Sequence, residues 1–180
     1  MAVLLVVFTP ALPASAQSSL ALDSRALKVA MIGKIAEFVR WPAQVGLDDP
    51  NVSIELVVLG RTPLEARLTD YFRKVRIAGH RVFVRFARDL DDVGEPEILF
   101  LGPTFEDDVE RVVARLKGVP VLTIADTPGF AQRGIAVNLI TVDGQVRFEV
   151  ARHALQRQGL EASYHLLSLA RLIDVQQARR

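Results

Sequence analysis

The sequence predicts an α/β domain, built as one mixed β-sheet of about six strands flanked by helices. Three observations carry this. Short, largely apolar runs such as Ile54–Leu59 and Ile98–Leu101 suit strands buried on both faces. Between them lie stretches with apolar residues at three- and four-residue spacing, the helical period. Near the C-terminus, Asp143-Gly144 separates two β-rich runs and signals a hairpin.

Taken in order, the first helix has Ser24 as its cap and a stripe of Leu27, Met31, Ile35 and Phe38, and is stopped by Trp41-Pro42. Ile54–Leu59 is a buried strand ending at Gly60. Thr62-Pro63 then opens a helix as cap and first-turn proline, continued by Leu64, Leu68, Tyr71 and Phe72. After Gly79, Val82, Val84 and Phe86 alternate with Arg81, Phe83 and Arg85 as a strand would, although Phe83 blurs its two faces. Ile98–Leu101 is a second buried strand. The next helix has Asp107, Asp108 and Glu110 at its start and Arg111, Arg115 and Lys117 at its end, an order that suits the helix dipole. Gly118 stops it and Val119–Ile124 is the following strand. Val137–Val142 and Val146–Val150 form the hairpin. Ala151–Gln158 is a helix with Gly159 just past its end, and Ser163 caps a last helix that packs Leu166, Leu167, Ala170 and Ile173 inward.

The chain has 180 residues, half of them hydrophobic, which suits one domain with a substantial core. Its net charge of +1 argues against a sequence-blind nucleic-acid binder. Cysteine is absent, which excludes disulfides, thiolate catalysis and cysteine-ligated metals. At the N-terminus the apolar run Val3–Phe8 is followed by Ala14-Ser15-Ala16, an A-x-A pattern. This reads as a secretory signal peptide over residues 1–16, although no Lys or Arg precedes the run. The expected organisation is then a flexible segment 17–23, a domain over 24–175 and a loose end at 176–180. No stretch is long enough for a membrane-spanning helix.

Sequence signals of catalysis are weak. His80, His153 and His165 lack metal-ligand spacing, and there is no G-x-S-x-G, P-loop or G-x-G-x-x-G. Gly60-Arg61-Thr62-Pro63, where a strand meets a helix, reads either as a plain turn or as an anion site, with the turn favoured. Asp126 reads as an acid or base at a strand end, or as a side-chain cap of its turn, with the cap favoured. More informative are Trp41, the single tryptophan, between Arg40 and Pro42, and the polar pair Arg133 and Asn138 around an apolar strand.

Several of these segments resemble one family. Lys28–Pro42 (KVAMIGKIAEFVRWP) is similar to the opening helix of the YfiR-like family. Pro120–Leu139 (PVLTIADTPGFAQRGIAVNL) resembles its central strand, G-F-A turn, R-G and Asn-bearing strand. Val146–Glu149 (VRFE) with Gly159-Leu160, Ser163 and LLSLARLI resembles its C-terminal signature. Ile135 stands where a second glycine is common, Ala151 and His153 replace Asn and Asp, and Tyr164 replaces a small polar residue.

The resemblance implies a non-enzymatic periplasmic protein, often dimeric, that needs no cofactor. Its known members bind the periplasmic domain of an inner-membrane diguanylate cyclase, hold it inactive, lower cyclic di-GMP and restrain biofilm formation. An outer-membrane lipoprotein can sequester them. The redox control of some members has no cysteine to act through here. The expected partner surface comprises Phe38, Trp41, Pro42, His165, Ser168 and Arg171. Phe38 and Trp41 read equally well as core. The alternative is a small-molecule sensor with a ligand site at Trp41, Arg133, Asn138 and Arg171.

Overall fold

The computed structural model describes residues 14–174, with side chains described from residue 24 onward. The signal-peptide reading therefore lies largely outside the described residues.

The chain runs through α1 (Ala14–Glu37), β1 (Val39–Arg40), β2 (Ile54–Leu59), α2 (Glu65–Phe72), β3 (Val82–Ala87), β4 (Ile98–Leu101), α3 (Val109–Arg115), β5 (Leu122–Ala125), β6 (Val137–Val142), β7 (Gln145–Val150), α4 (Arg152–Arg157), β8 (Glu161–Ala162), α5 (Tyr164–Leu169) and β9 (Arg171–Leu172). Seven strands form a mixed sheet in the order β3-β2-β4-β5-β6-β7-β9. β2 to β6 are parallel, β7 returns antiparallel to β6, and β9 lies parallel to β7. A separate antiparallel pair joins β1 to β8. The predicted mixed sheet with flanking helices is thus the architecture found.

The alternation of strand side chains divides the core in two. Leu56, Val58, Phe100, Ile124 and Leu139 face α1 and α2 on one side. Val57, Leu59, Leu99 and Leu101 face α3 on the other, with Phe130 and Ile135. Being buried on both faces, β4 reads as an unbroken apolar run, and β2 and β5 are interrupted only by Glu55 and Thr123.

Local chemistry explains the elements that matched expectation. Thr62 and Glu65 bond in the turn that leads into α2, which itself starts at Glu65, later than the Thr62-Pro63 start expected: the Thr62 hydroxyl accepts from the Leu64 N–H (3.3 Å), and the Glu65 carboxylate accepts from the Thr62 N–H (3.2 Å). Asp143 (φ 50) and Gly144 (φ 74) supply the two positive φ values of the β6–β7 turn. The Ser163 hydroxyl accepts from the Leu166 N–H at 3.1 Å.

Four expectations are corrected. Ser24 lies inside α1, which begins at Ala14, so it does not cap that helix. The buried stripe of α1 is Val29, Ile32, Ile35 and Ala36; of the expected stripe Ile35 is buried and Met31 and Phe38 pack partly buried against the same core, while Leu27 is 48% exposed. β3 sits at the sheet edge and leaves Phe83 and Phe86 exposed, since it has a neighbour on one side only. The last helix ends at Leu169, and Arg171–Leu172 already pairs as strand, so Ala170 and Ile173 do not belong to a helical stripe.

Candidate functional site

Open α/β sheets bind ligands where strand order reverses, outside the C-terminal strand ends. Here that point lies between β2, whose helix leads to β3 on one side, and β4 on the other. The chain fills it with its own atoms. The Gly102 N–H donates to the Leu59 carbonyl (2.9 Å), and the Thr104 hydroxyl accepts from the Arg61 N–H (3.0 Å). The amides of Arg61, Thr62 and Leu64 are all bonded internally, so the anion-site reading of Gly60–Pro63 does not hold. Asp126 is also reassigned. Its carboxylate pairs with the Lys28 ammonium at 2.9 Å, both side chains largely shielded, because α1 passes over the end of β5. It ties a helix to the sheet and does not cap its own turn.

The expected site residues fall into three groups. Phe38 and His165 come together, their rings tilted with centroids 5.3 Å apart. The reason lies in the backbone: Val39 pairs with Ala162 in the β1–β8 ribbon, and the Phe38 carbonyl accepts from the Ser163 N–H (2.9 Å), which aims α5 at the end of α1. A groove of about 290 Å³ runs along this ribbon between Phe38, Arg40, Glu161 and Ser163. Trp41 and Pro42 line a neighbouring cleft of about 170 Å³ with Ile54, Ile77 and His80. Trp41 is half-buried against the core, and its indole N–H meets no acceptor among the described residues.

The second group is a row across the sheet. Strand register aligns Ala125, Asn138, Glu149 and Arg171 as successive neighbours. The buried Asn138 amide donates to Glu149 (3.3 Å), and the Arg171 guanidinium lies 3.5 Å from the other Glu149 oxygen. Glu149 is 4% exposed, so it is a shielded carboxylate balanced by one amide and one cation. Sequence reasoning named Asn138 and Arg171 but not Glu149, which joins them. The signal was present: an acid at an inward-pointing place of a strand needs partners.

Arg133 belongs to neither group. It forms a bidentate pair with Glu110 of α3, both bonds 2.6 Å, and lies 5.8 Å from the Phe130 ring. Hydrogen bonding from Arg133 holds the Glu110 carboxyl below its usual range, and burial opposes this. A depressed carboxyl stabilises the fold above its unfolded pKa and loses that contribution as pH falls through the folded value. Arg133→Gln is therefore expected to lower stability by under about 1 kcal/mol near neutrality, since Glu110 is well exposed. In acid unfolding curves the difference should begin to shrink as pH falls through the ordinary carboxylate range near about 4 and disappear only below the lower folded value; a difference that persists at the acid extreme would mean that packing of Arg133, not its charge, stabilises the fold.

Sequence reasoning also missed three exposed apolar side chains on the C-terminal strap that α5 and β9 form. Tyr164 is 87% exposed, Leu169 65% and Leu172 49%. Their signal was an apolar residue count too high for the one buried face of a six-residue helix. His165 and Ser168 are exposed on the same short helix as Tyr164 and Leu169, so the strap mixes apolar and polar exposed side chains. Among the described residues no group of three or more His, Asp or Glu side chains is placed to hold a metal, and no helix is long and apolar enough to cross a membrane.

Comparison with known proteins adds the following. A family model described as YfiR/HmsC-like matches residues 25–171. Among solved structures, a conserved domain protein from Vibrio cholerae O1 biovar El Tor superposes with a TM-score of 0.52 at 12% identity, over 73% of this chain and 60% of that one. The ABC domain in complex with L-Trp from Streptococcus pneumonia superposes with a TM-score of 0.51 at 8% identity, over 66% and 54%. The chain thus spans little more than half the length of these structures, and at such identities the likeness concerns the fold alone.

Proposed function

The chain belongs to the YfiR/HmsC-like family, and on that premise we propose that it is a periplasmic, non-catalytic regulator that represses an inner-membrane diguanylate cyclase by binding its periplasmic domain. Family membership supports a periplasmic regulatory role in cyclic di-GMP signalling. The choice of binding surface rests on a single observation: the exposed apolar strap of Tyr164, Leu169 and Leu172, set beside Phe38 and His165. Large aromatic and aliphatic side chains held in the open on a short, capped helix have the character of interface anchors.

Repression by binding requires only that the regulator prefer the inactive state of its target. A hundredfold preference corresponds to about 2.7 kcal/mol, which two well-packed anchors supply. On the family resemblance, the reading extends to a homodimeric resting form and to sequestration by an outer-membrane lipoprotein.

The test is cellular cyclic di-GMP in a strain lacking the gene. Its level is expected to rise on deletion and to return with the wild-type chain. Tyr164→Ser with Leu169→Ser should fail to restore it, while the melting temperature stays within about 1–2 °C, because exposed substitutions cost little stability. Full restoration by this variant would remove the strap from the interface. No rise on deletion would remove the repressor reading itself.

A further inference from the structure

The edge of the sheet opposite the strap carries a second recognition surface, outside the region assigned above. We propose that the outer edge of β3 and the cleft beside it bind an acidic segment of a protein partner in extended form, as an added strand.

Three independent observations converge there. The first is charge. Between residues 66 and 88 seven Lys and Arg residues stand against a single acid, Asp70, which leaves the rest of the chain with fifteen basic and twenty acidic residues. A molecule that is nearly neutral overall therefore concentrates its positive charge on α2, the turn after it and β3. Arg73 is engaged by Asp70 (2.7 Å) and Arg76 reaches only the Gly79 carbonyl (3.4 Å). The side chains of Lys74 and Arg81 make no hydrogen bond or ion pair among the described residues.

The second is shape. Arg73, Lys74, Arg76 and Arg81 surround a cleft of about 500 Å³ between the end of α2 and the first half of β3, with Phe72 and Phe83 among its walls. Phe83 is 62% exposed. Bulky aromatic surface beside cations suits a chain that alternates acidic and apolar residues.

The third is the backbone. Among the described residues β3 has β2 on one side and no strand on the other. The Arg81 carbonyl accepts from Ile54 (2.8 Å) and the Ala87 carbonyl from Gly60 (3.0 Å), so odd-numbered residues turn their polar groups toward β2. By the strand period of two, Val82, Val84 and Phe86 turn theirs outward. They offer a row of donors and acceptors over six regular residues with neither proline nor a bulge to blunt it.

Charge selects the occupant. Pairing of two β3 edges would bring the Lys74 and Arg81 cations of one copy close to those of the other, and like charges brought together across a ladder are destabilising; Arg85 adds little to this, since it is paired with Glu55 at 2.7 Å. The same cations that keep a second copy off favour an acidic strand, with main-chain bonds supplying affinity and the cationic cleft supplying selectivity.

The probe is a fluorescein-labelled peptide of about ten residues alternating Glu and Val, followed by anisotropy on the full chain. It is expected to bind at least about tenfold more tightly than the Lys-Val peptide, and to weaken severalfold between roughly 50 and 200 mM salt. Lys74→Glu with Arg81→Glu, both on exposed side chains, should weaken it about tenfold or more. The same Glu-Val peptide N-methylated on alternate amides keeps its charge but cannot complete a ladder, and should also lose about tenfold. Equal binding of the methylated peptide would reduce the contact to charge and overturn strand addition. Binding to phosphatidylglycerol vesicles without binding of the peptide would assign the surface to a membrane and overturn a protein partner. Absence of both, or insensitivity to the double charge reversal, would overturn the site. None of these outcomes bears on the strap, whose test uses other residues.

Discussion

Gly102→Ala is expected to cost about 3 kcal/mol or more, a fall in melting temperature of roughly 6–12 °C. A Cβ at this position would stand 2.4 Å from the Arg61 carbonyl oxygen and 3.1 Å from that of Leu59. Both are backbone atoms at the crossing of two parallel strands, so neither can swing aside. Gly102 has an ordinary φ of −75°, which makes the effect one of close approach and not of backbone strain. Gly33→Ala is the comparison. There the added Cβ meets the rims of two side-chain rings, Phe72 at 3.3 Å and Tyr71 at 3.7 Å, and the helical preference for alanine offsets the crowding. Thermal melts of the two variants separate the cases. A Gly102→Ala protein as stable as Gly33→Ala would show that the β2 and β4 loops can part, and would reopen the switch point as a ligand site.

The second large effect is at the sheet row. Arg171→Ala leaves the Glu149 carboxylate shielded from water with the Asn138 amide as its single partner, and is expected to cost about 2 kcal/mol. The figure sits below the cost of breaking a fully buried pair because Arg171 itself is 66% exposed. Adding Glu149→Gln should return part of the loss, since a neutral amide needs no cation. Urea unfolding with an unchanged slope measures both. A double variant no more stable than Arg171→Ala would mean that the guanidinium matters for docking β9 and not for balancing Glu149. The row also bears on function. Arg171 was expected to meet a partner, yet part of its charge is committed inward, so an Arg171 variant that loses repression reports on stability as much as on binding. Tyr164 and Leu169 do not share this ambiguity.

Much of the fold was legible because it rests on local rules. The apolar runs of β2 and β4, the Thr62–Glu65 turn ahead of α2, the Asp143-Gly144 turn and the Ser163 cap each depend on residues within a few positions of one another. Errors arose where the deciding neighbour lay far away in sequence. Leu27 and Phe86 belong to regular patterns and are nevertheless exposed, since exposure depends on which face meets the sheet and on which strand is last in it.

The candidate sites divide in the same way. Phe38, Asn138, His165 and Arg171 could be singled out by residue type and by family resemblance. Their pairing could not: Phe38 meets His165 only because β1 pairs with β8, and Arg171 meets Glu149 only because β9 lies along β7. By itself the sequence determined the α/β class and most element boundaries, because backbone propensity, capping and burial pattern act over short stretches of chain; the family was legible only through the resemblance of its motifs to a known family. The tertiary structure alone decided that the switch point is closed, that Asp126 answers Lys28, that the strap faces outward and that β3 is an edge. Each of these depends on strand order and long-range register, and those follow from the packing of the whole core.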